Sequence, residues 1–587
     1  MALAPEAIKP PETLSNTVGT DVARRLKSTR GADAPTRKDI KALRAVYKKR
    51  DGAPMWVTWR GLTPKAVALV AEIKNAERWG LNPRSFRLPK IAAAADATSR
   101  LDVAKLAHAE VLLSKAVLKY ARYARGGRVE PLRLTKFLDR KPQLADPEDV
   151  ITLVSTAANP TATLLRYHPQ HRQFKRLRAR YVALLDGRAK AKKRIKLPAG
   201  PLLKRGVRHP HVALLRARLK IDSGPNATDA LLYDRVVEAA VRAYQKRESM
   251  SADGIVGSGT RAVLNKVTGP SRAKLLANME QWRWMPRELG EVYVWVNVPE
   301  YKIRVVRDGE IIHTERVVVG KATNQTVIFS DELEWVDFHP SWYVPESIKV
   351  NEIAPSMRYG GMAALERQGL EIRCPSGVRA IRRRKQQNLF GFWNNEPEPV
   401  SLVDIRRCQV RQPPGPRNAL GIVKFKFPNK HAIYFHDTPS KHLFNKRTRT
   451  YSHGCIRVRD PLKLAEILLG YDADMSRATI DNIVNGPVET RKITMRKKIK
   501  VHITYFTALI DNNGGESYFT DVYGHDKRIN LGIAGKYHLV EPVPEPRKPG
   551  TRRRNADQVA STRRRAAQQR RRRSSSDDWI KNIFQGF

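Results

Sequence analysis

The sequence predicts a multidomain α+β protein with a helical N-terminal scaffold, a small three-helix module, and a mostly-β C-terminal domain carrying an inserted subdomain. Three observations lead there. At 587 residues the chain exceeds what one hydrophobic core absorbs, so three or four domains are expected. Apolar residues recur at helical spacing up to about residue 265 and alternate from about 292 onward. The alternating part is interrupted between about 346 and 410 by a stretch without clean period, longer than a connection needs.

Residues 1–34 show little patterning and are expected to be weakly ordered. The scaffold is assigned to 35–206. Its first helix carries Ile40, Leu43, Val46 and Tyr47 on one face. A second begins with Thr63 as cap and Pro64 in the first turn, places Val67, Val70 and Ile73 together, and stops at Gly80. Two more follow in "LDVAKLAHAEVLLSKAVLKYARYARGG" and "HPQHRQFKRLRARYVALLDG". The small module is assigned to 207–268: Leu214, Leu215 and Leu219 line one helix, Val237, Ala240, Val241 and Tyr244 a second, and Thr260 to Leu264 begin a third. From 269 to 530 the reading is β. "EVYVWVNVPEYKIRVVRDGEIIHTERVVVG" alternates around an Asp308-Gly309 turn, as a hairpin does. "NALGIVKFKFPNKHAIYFHD" reads as strand, turn, strand, and "PLKLAEILLGY" as a helix.

A net charge of +52 calls for anionic surroundings: nucleic acid, membrane surface, or an acidic wall polymer. Part of it lies in the tail, assigned to 531–587, where Arg547 to Arg573 hold twelve basic residues among Ala, Gln, Ser and Thr. That composition cannot build a core and reads as a largely disordered arm. No apolar run is long enough to span a bilayer, and "MALAPEAIKPPETL" shows no readable signal peptide, which by itself points to the cytoplasm. The three cysteines, Cys374, Cys408 and Cys455, fit neither a disulfide framework nor a zinc site. One disulfide is possible, and only Cys374 with Cys408 spares Cys455.

The chemistry concentrates in "FNKRTRTYSHGCIRVRD", Phe444 to Asp460. A cysteine nucleophile needs its thiolate, and a nearby imidazole supplies it. His436 ends a predicted strand 19 positions before Cys455, and His453 stands two before it. Gly454 allows a tight turn, and the amides around Gly454 and Cys455 can face a developing oxyanion. Arg449, Arg457 and Arg459 are expected to lower the thiol pKa and attract a carboxylate. Tyr434 shares a strand face with His436. The bland alternative is a buried cysteine beside a surface histidine.

Residues 412–458 closely resemble the catalytic motif of the L,D-transpeptidases that cross-link peptidoglycan, in particular the large Gram-negative type. "VVVGKATNQTVIFS", "PSWYVPESI" and "YFTALIDNNG…YFTDVYGHD" resemble that family as well, and "AVRAYQ…DGIVGSGT…LN" resembles its peptidoglycan-binding module. The resemblance implies an L,D-transpeptidase catalytic domain with an inserted capping subdomain at about 346–410. It implies Cys455 as nucleophile and His436 as general base, with Ser452, His453 and Gly454 shaping the pocket. Arg449 and Arg457 match basic positions, Tyr434 lines the site, and Trp342 and Tyr343 lie near the substrate groove.

The implied reaction is an acyl transfer from a tetrapeptide stem, through a thioester, to the side-chain amine of a second stem's meso-diaminopimelate. Peptidoglycan stems are then donor and acceptor, carbapenems covalent inhibitors, and the location periplasmic. No metal or cofactor is implied. Two rivals keep the same cysteine: an L,D-carboxypeptidase, and attachment of lipoprotein to the wall. A further rival is a basic nucleic-acid or wall-binding protein without catalysis. No nucleic-acid partner is expected, because no recognition signature accompanies the charge. The arm suits contact with an anionic wall or membrane.

Overall fold

The computed structural model describes residues 13–29, 32–94, 101–187, 195–221, 229–247, 250–265, 271–360, 363–375, 382–387, 393–398 and 402–544. The basic tail from 545 onward lies outside the described residues. The N-terminal region is helical, the middle module has three helices, and the C-terminal domain is mostly β with an insertion.

The helical region packs around the helix Val103–Gly126. Its Glu110 is wholly buried and accepts hydrogen bonds from the Tyr47 hydroxyl at 2.6 Å and from the amides of Met55 and Trp56 at 2.6 and 2.9 Å. A buried carboxylate is tolerated because each oxygen is matched. Thr63 caps the helix Pro64–Lys74 by accepting from Ala66 N–H. Val67 is 38% exposed, so the buried face is carried by Ala66, Leu69, Val70 and Ile73 instead.

Four boundaries differ from the sequence reading, the fourth being the start of the inserted segment. The chain before residue 35 was expected to be weakly ordered, yet it contains the helix Thr20–Lys27, with Val18, Val22 and Leu26 buried in the helical core. Their i, i+4 spacing seals one face. Residues near 200, assigned to the scaffold, join the three-helix module: Leu197 and Leu203 enter its core, and Leu203 bridges Val256. The helix His525–Ile533 crosses the limit placed at 530 and buries Ile529.

The C-terminal half is built on a nine-stranded sheet: β1 (Val292–Asn297), β2 (Lys302–Arg307), β3 (Glu310–Gly320), β4 (Ser330–Phe338), β5 (Val423–Lys426), β6 (Phe435–His436), β7 (Thr450–Ser452), β8 (Ile456–Val458) and β9 (Arg491–Thr504). Its order is β7-β3-β8-β6-β5-β4-β9-β1-β2, and β2 also pairs with β3, so the sheet closes on itself. The closed face encloses Val294, Val305, Val317, Val336, Phe425, Phe435, Ile456 and Val501, and the helix Pro461–Ala473 adds Leu464, Leu468 and Leu469. Closure leaves few exposed edges.

The inserted segment has its own small core of Val344, Ile353, Met357, Leu365, Ile405 and Val410. Its base is a three-stranded sheet in which Gln409–Gln412 pairs with both Trp342–Tyr343 and Glu371–Arg373. The insertion therefore starts at Trp342 rather than 346. A disulfide joins Cys374 to Cys408 across this base.

The helical region and the sheet are interlocked. Val129, Leu134 and Leu138 enter the sheet's core, and the helix Arg172–Leu185 packs on Arg272–Arg283. Glu280, fully buried, accepts from the amides of Arg128 and Val129 and pairs with the buried Arg283 at 3.2 Å. Arg140 donates to the Ile503 carbonyl at 2.7 Å.

Three histidines of the C-terminal half, His436, His502 and His525, are held down to about 3, first by burial. Unfolded, each titrates near 6.5. Between those values the unfolded chain binds protons that the folded chain refuses. Stability is therefore full above about pH 6.5 and falls with acidification by about 1.4 kcal/mol per unit for each histidine. Thermal melts from pH 7 to 4 should show this decline, and His502→Gln should make it shallower. An unchanged slope would mean that burial does not suppress that imidazole.

Candidate active site

The site begins with one pairing. β6 and β8 lie side by side in parallel, with Phe435 opposite Ile456 and His436 opposite Arg457. Parallel strands need a long crossover, and the chain between His436 and Cys455 supplies it. Phe435 and Ile456 turn into the core. Strand alternation then places Tyr434, His436, Cys455 and Arg457 on the opposite face. Lys424, opposite His436 on β5, extends that face, and so does Asp337, opposite Lys424 on β4.

The turn that carries the thiol is tied from three directions. Ser452 Oγ donates to the Cys455 carbonyl at 2.5 Å and accepts Gly454 N–H at 3.2 Å. Gly454 has φ +119°, a region closed to other residues. Thr326 Oγ1 donates to the Gly454 carbonyl at 2.8 Å and accepts Gly320 N–H at 2.9 Å. Lys321 N–H donates to the Ser452 carbonyl at 2.9 Å, and the Tyr523 hydroxyl to the Gly320 carbonyl at 2.5 Å. A Cβ on Gly320 would stand 2.1 Å from the Asn324 carbonyl oxygen, so only glycine closes this loop.

Cys455 is half-buried, and its Sγ lies 3.6 Å from the Ala432 carbonyl oxygen, with Tyr434 in hydrogen-bonding reach. Burial pushes the thiol up, while Tyr434, Lys426 and Lys424 pull it down less strongly. The His436 ring is buried; Nδ1 donates to the Asp437 carbonyl at 2.5 Å, which leaves the lone pair on Nε2. Burial first, and Arg457 second, hold His436 at about 3. The pair therefore rests as neutral thiol and neutral imidazole. Among the described residues no hydrogen bond joins them. The expectation that arginines lower the thiol pKa is corrected, because desolvation outweighs the nearby positive charge.

The other expected residues divide. Arg457 belongs to the site, and its Nε is buried without a partner among the described residues. Trp342 reaches it beside the Tyr434 side chain. Tyr343 does not: it is 55% exposed and lies beside Arg411, whose guanidinium donates to Glu371. Arg449 is spent on carbonyls of Val317, Tyr301 and Lys446 and stacks on the Tyr301 ring, so it pins β3 instead of charging the pocket. Arg459 pairs with Glu315 at 2.8 Å. His453 turns to the insertion, with Nε2 2.6 Å from Glu352 and 3.2 Å from Lys321 Nζ. The Gly454 amide, expected to face an oxyanion, is already used by Ser452.

Lys424, Lys426, Thr326, Lys321 and Glu352 were missed by sequence reasoning. Period-two alternation on β5 places both lysines on one face, so that signal was available. The contacts of Thr326 and Glu352 with residues more than a hundred positions away were not. Among the described residues no cluster of His, Cys, Asp and Glu is placed to hold a metal. Iodoacetamide labelling of Cys455 against pH should have its midpoint above that of an ordinary thiol. Lys424→Met should move it higher still. A midpoint below 7 would show a thiolate held by charge.

Residues 41–180 match the model of a scaffold domain, 208–264 that of a "Putative peptidoglycan binding domain", and 291–494 that of an L,D-transpeptidase catalytic domain. A curated relative from Haemophilus influenzae, named "Putative L,D-transpeptidase", is 32% identical over 263 residues, 44% of this chain and 49% of the relative. The chain thus spans about half the length of that relative. Solved L,D-transpeptidases from Xylanimonas cellulosilytica and Stackebrandtia nassauensis are similar at 16% and 13% identity. They cover 52% and 54% of this chain, and 99% and 97% of their own. Their TM-scores are 0.15 and 0.17. The chain thus carries, in order, stretches that match a scaffold domain, a peptidoglycan-binding domain and an L,D-transpeptidase catalytic domain.

Proposed function

We propose that the protein forms 3→3 cross-links between peptidoglycan stem peptides, with Cys455 as nucleophile and His436 as general base. The observation that carries this reading is the β6–β8 pairing, which sets a half-buried thiol, a neutral imidazole with a free Nε2 and the Arg457 guanidinium on one face of one sheet. As substrate enters, His436 Nε2 takes the thiol proton. Cys455 Sγ then attacks the carbonyl joining the third stem residue to the terminal D-alanine. The C–N bond breaks, His436 returns the proton to the leaving amine, and a thioester remains. The Cys455 amide faces the developing oxyanion. The unmatched Arg457 Nε offers a donor to a substrate oxygen.

The amine of a second stem next attacks the thioester. A new amide forms, the C–S bond breaks, and the amine's proton passes through His436 to sulfur. The insertion, anchored at Trp342 and linked to the catalytic turn by Glu352 and His453, is positioned to exclude water during this interval. The setting is the periplasm. The disulfide Cys374–Cys408 suits an oxidising compartment. Among the described residues no helix is long and apolar enough to cross a membrane. The three-helix module would hold the enzyme on the wall.

Intact mass after exposure to a carbapenem should show one adduct, mapped to Cys455. His436→Gln should slow its formation by about 10² to 10⁴-fold, the usual worth of a positioned base. Muropeptides from cells carrying Cys455→Ala should lack the 3→3 dimers formed with the intact protein. Accumulation of tetrapeptides with dimers unchanged would defeat the cross-linking reading. Tripeptides without dimers in the intact case would assign hydrolysis instead.

A further inference from the structure

A cleft of about 490 Å³ opens against β9, β1 and β2, away from the thiol. β4 on one side and β3 on the other separate these strands from β5, β6 and β8, and Cys455, His436 and Arg457 do not line the cleft. Its floor is β1, where Val292, Val294 and Val296 turn into the core and Tyr293 and Trp295 turn outward. Trp295 is oriented by donating Nε1 to Thr504 Oγ1 at 2.7 Å. One wall is the helix Arg172–Leu185 of the helical region, fixed there by Gln173. The Gln173 side chain donates to the Ile510 carbonyl at 2.6 Å and accepts Ile510 N–H at 3.1 Å. The cleft is therefore preformed.

Trp282 lines the cleft and is only 4% exposed. Its ring stacks on Phe506 with centroids 4.5 Å apart, and its Nε1 is buried with no hydrogen-bond partner among the described residues. A buried donor left unmatched is costly, so it calls for an acceptor from outside the chain. Met285, buried in the same cluster, also lines the cleft. The Tyr293 hydroxyl has no partner among the described residues. The rim carries planar polar groups of both kinds. Gln170 spends Nε2 on the His168 carbonyl at 2.8 Å, which leaves Oε1 as an acceptor. Asn512 accepts from Arg176 at 2.8 Å through Oδ1, which leaves Nδ2 as a donor. Glu310 adds a carboxylate, 3.5 Å from Arg172. This set disfavours simpler ligands. Both arginines already have partners, so an inorganic anion finds no unpaired cation, and an apolar ligand would leave Trp282 Nε1 unmatched. A sugar hydroxyl donates and accepts at once, which a rim of mixed groups satisfies, and the C–H face of a pyranose packs on an aromatic ring.

We propose that this cleft is a saccharide site that takes one N-acetylated pyranose of a glycan strand. The acetamide carbonyl accepts from Trp282 Nε1, and the acetamide methyl packs on Met285. The C–H face of the ring lies on Tyr293. Sugar hydroxyls donate to Gln170 Oε1 and Glu310 and accept from Asn512 Nδ2. The inference goes beyond the reaction proposed above: no bond is made or broken here, and the ligand is glycan instead of stem peptide. The helical region supplies one wall and the sheet the floor, so their docking creates a site that neither holds alone. A strand gripped at this face leaves β5, β6 and β8 free for peptide.

The test uses the full chain and a peptide-free tetramer of N-acetylglucosamine that carries a photoreactive diazirine in one acetamide. Irradiation and peptide mapping should place an adduct within residues 282–295, and unlabelled tetramer should compete for it. Cellotetraose has the same rings without the acetamide, so it leaves the buried donor unmatched and should compete about tenfold less well. Trp282→Phe keeps the packing and removes the N–H; it should lower labelling at 282–295 about tenfold and leave D-alanine release from a tetrapeptide unchanged. Tyr293→Ala should do the same. Adducts confined to 207–265, where the three-helix module lies, would overturn the site. So would equal competition by cellotetraose, or labelling at 282–295 that persists in both variants. Labelling at 282–295 in a protein that releases no D-alanine would overturn the transpeptidase reading and leave this site standing. If Trp282→Phe fails to fold, Tyr293→Ala with the two competitors decides.

Discussion

The parallel pairing of β6 with β8 is the constraint on which the site depends. Two short strands, Phe435–His436 and Ile456–Val458, are joined across a crossover and share one register. Their inward residues, Phe435 and Ile456, are wholly buried in the sheet's core. Sliding either strand by one position would send these side chains to the opposite face and bring His436 and Arg457 into the core. Core packing therefore sets the chemistry: the same burial that stabilises the domain fixes which groups surround the thiol.

Burial also decides the charge state of the site. Lys424, Lys426 and Arg457 surround Cys455, yet the thiol is raised and His436 is lowered, because desolvation exceeds the attraction of the cations. Lys424 is itself pulled down by burial, and Asp337 offsets this only in part. A thiol kept neutral until substrate arrives is shielded from oxidation and alkylation. In the proposed reaction the positive groups would act on the charge that forms during attack, where fixed donors are worth most.

Around this centre the chain is tied by contacts between distant segments. Thr326 grips Gly454, Glu352 reaches His453 from the insertion, and Asp139 reaches His431 from the helical region. The last two cross boundaries that a linear division of the chain would draw. Buried ion pairs such as Glu280–Arg283 add little net stability over apolar packing, but they admit few alternative arrangements. The helical region is thus held at the catalytic sheet by specific polar matches as well as by apolar contact.

Local pattern was enough for the elements and for the central motif. Helical periodicity marked the N-terminal helices, alternation marked the hairpin at Asp308-Gly309, and "SHGC" with a histidine ending a strand marked a thiol and an imidazole carried on neighbouring strands. These are short-range properties, since side-chain period and turn chemistry are set by adjacent residues. Local pattern also carried the early helix with Val18, Val22 and Leu26, although it was read there as weak. What only the tertiary structure decided were the partners of long side chains. Arg449 and Arg457 lie eight positions apart with the same chemistry, yet one is consumed by backbone carbonyls and the other faces His436. The sign of the thiol's shift followed in the same way. It depends on how much water the fold removes, and burial is a property of the whole packed chain.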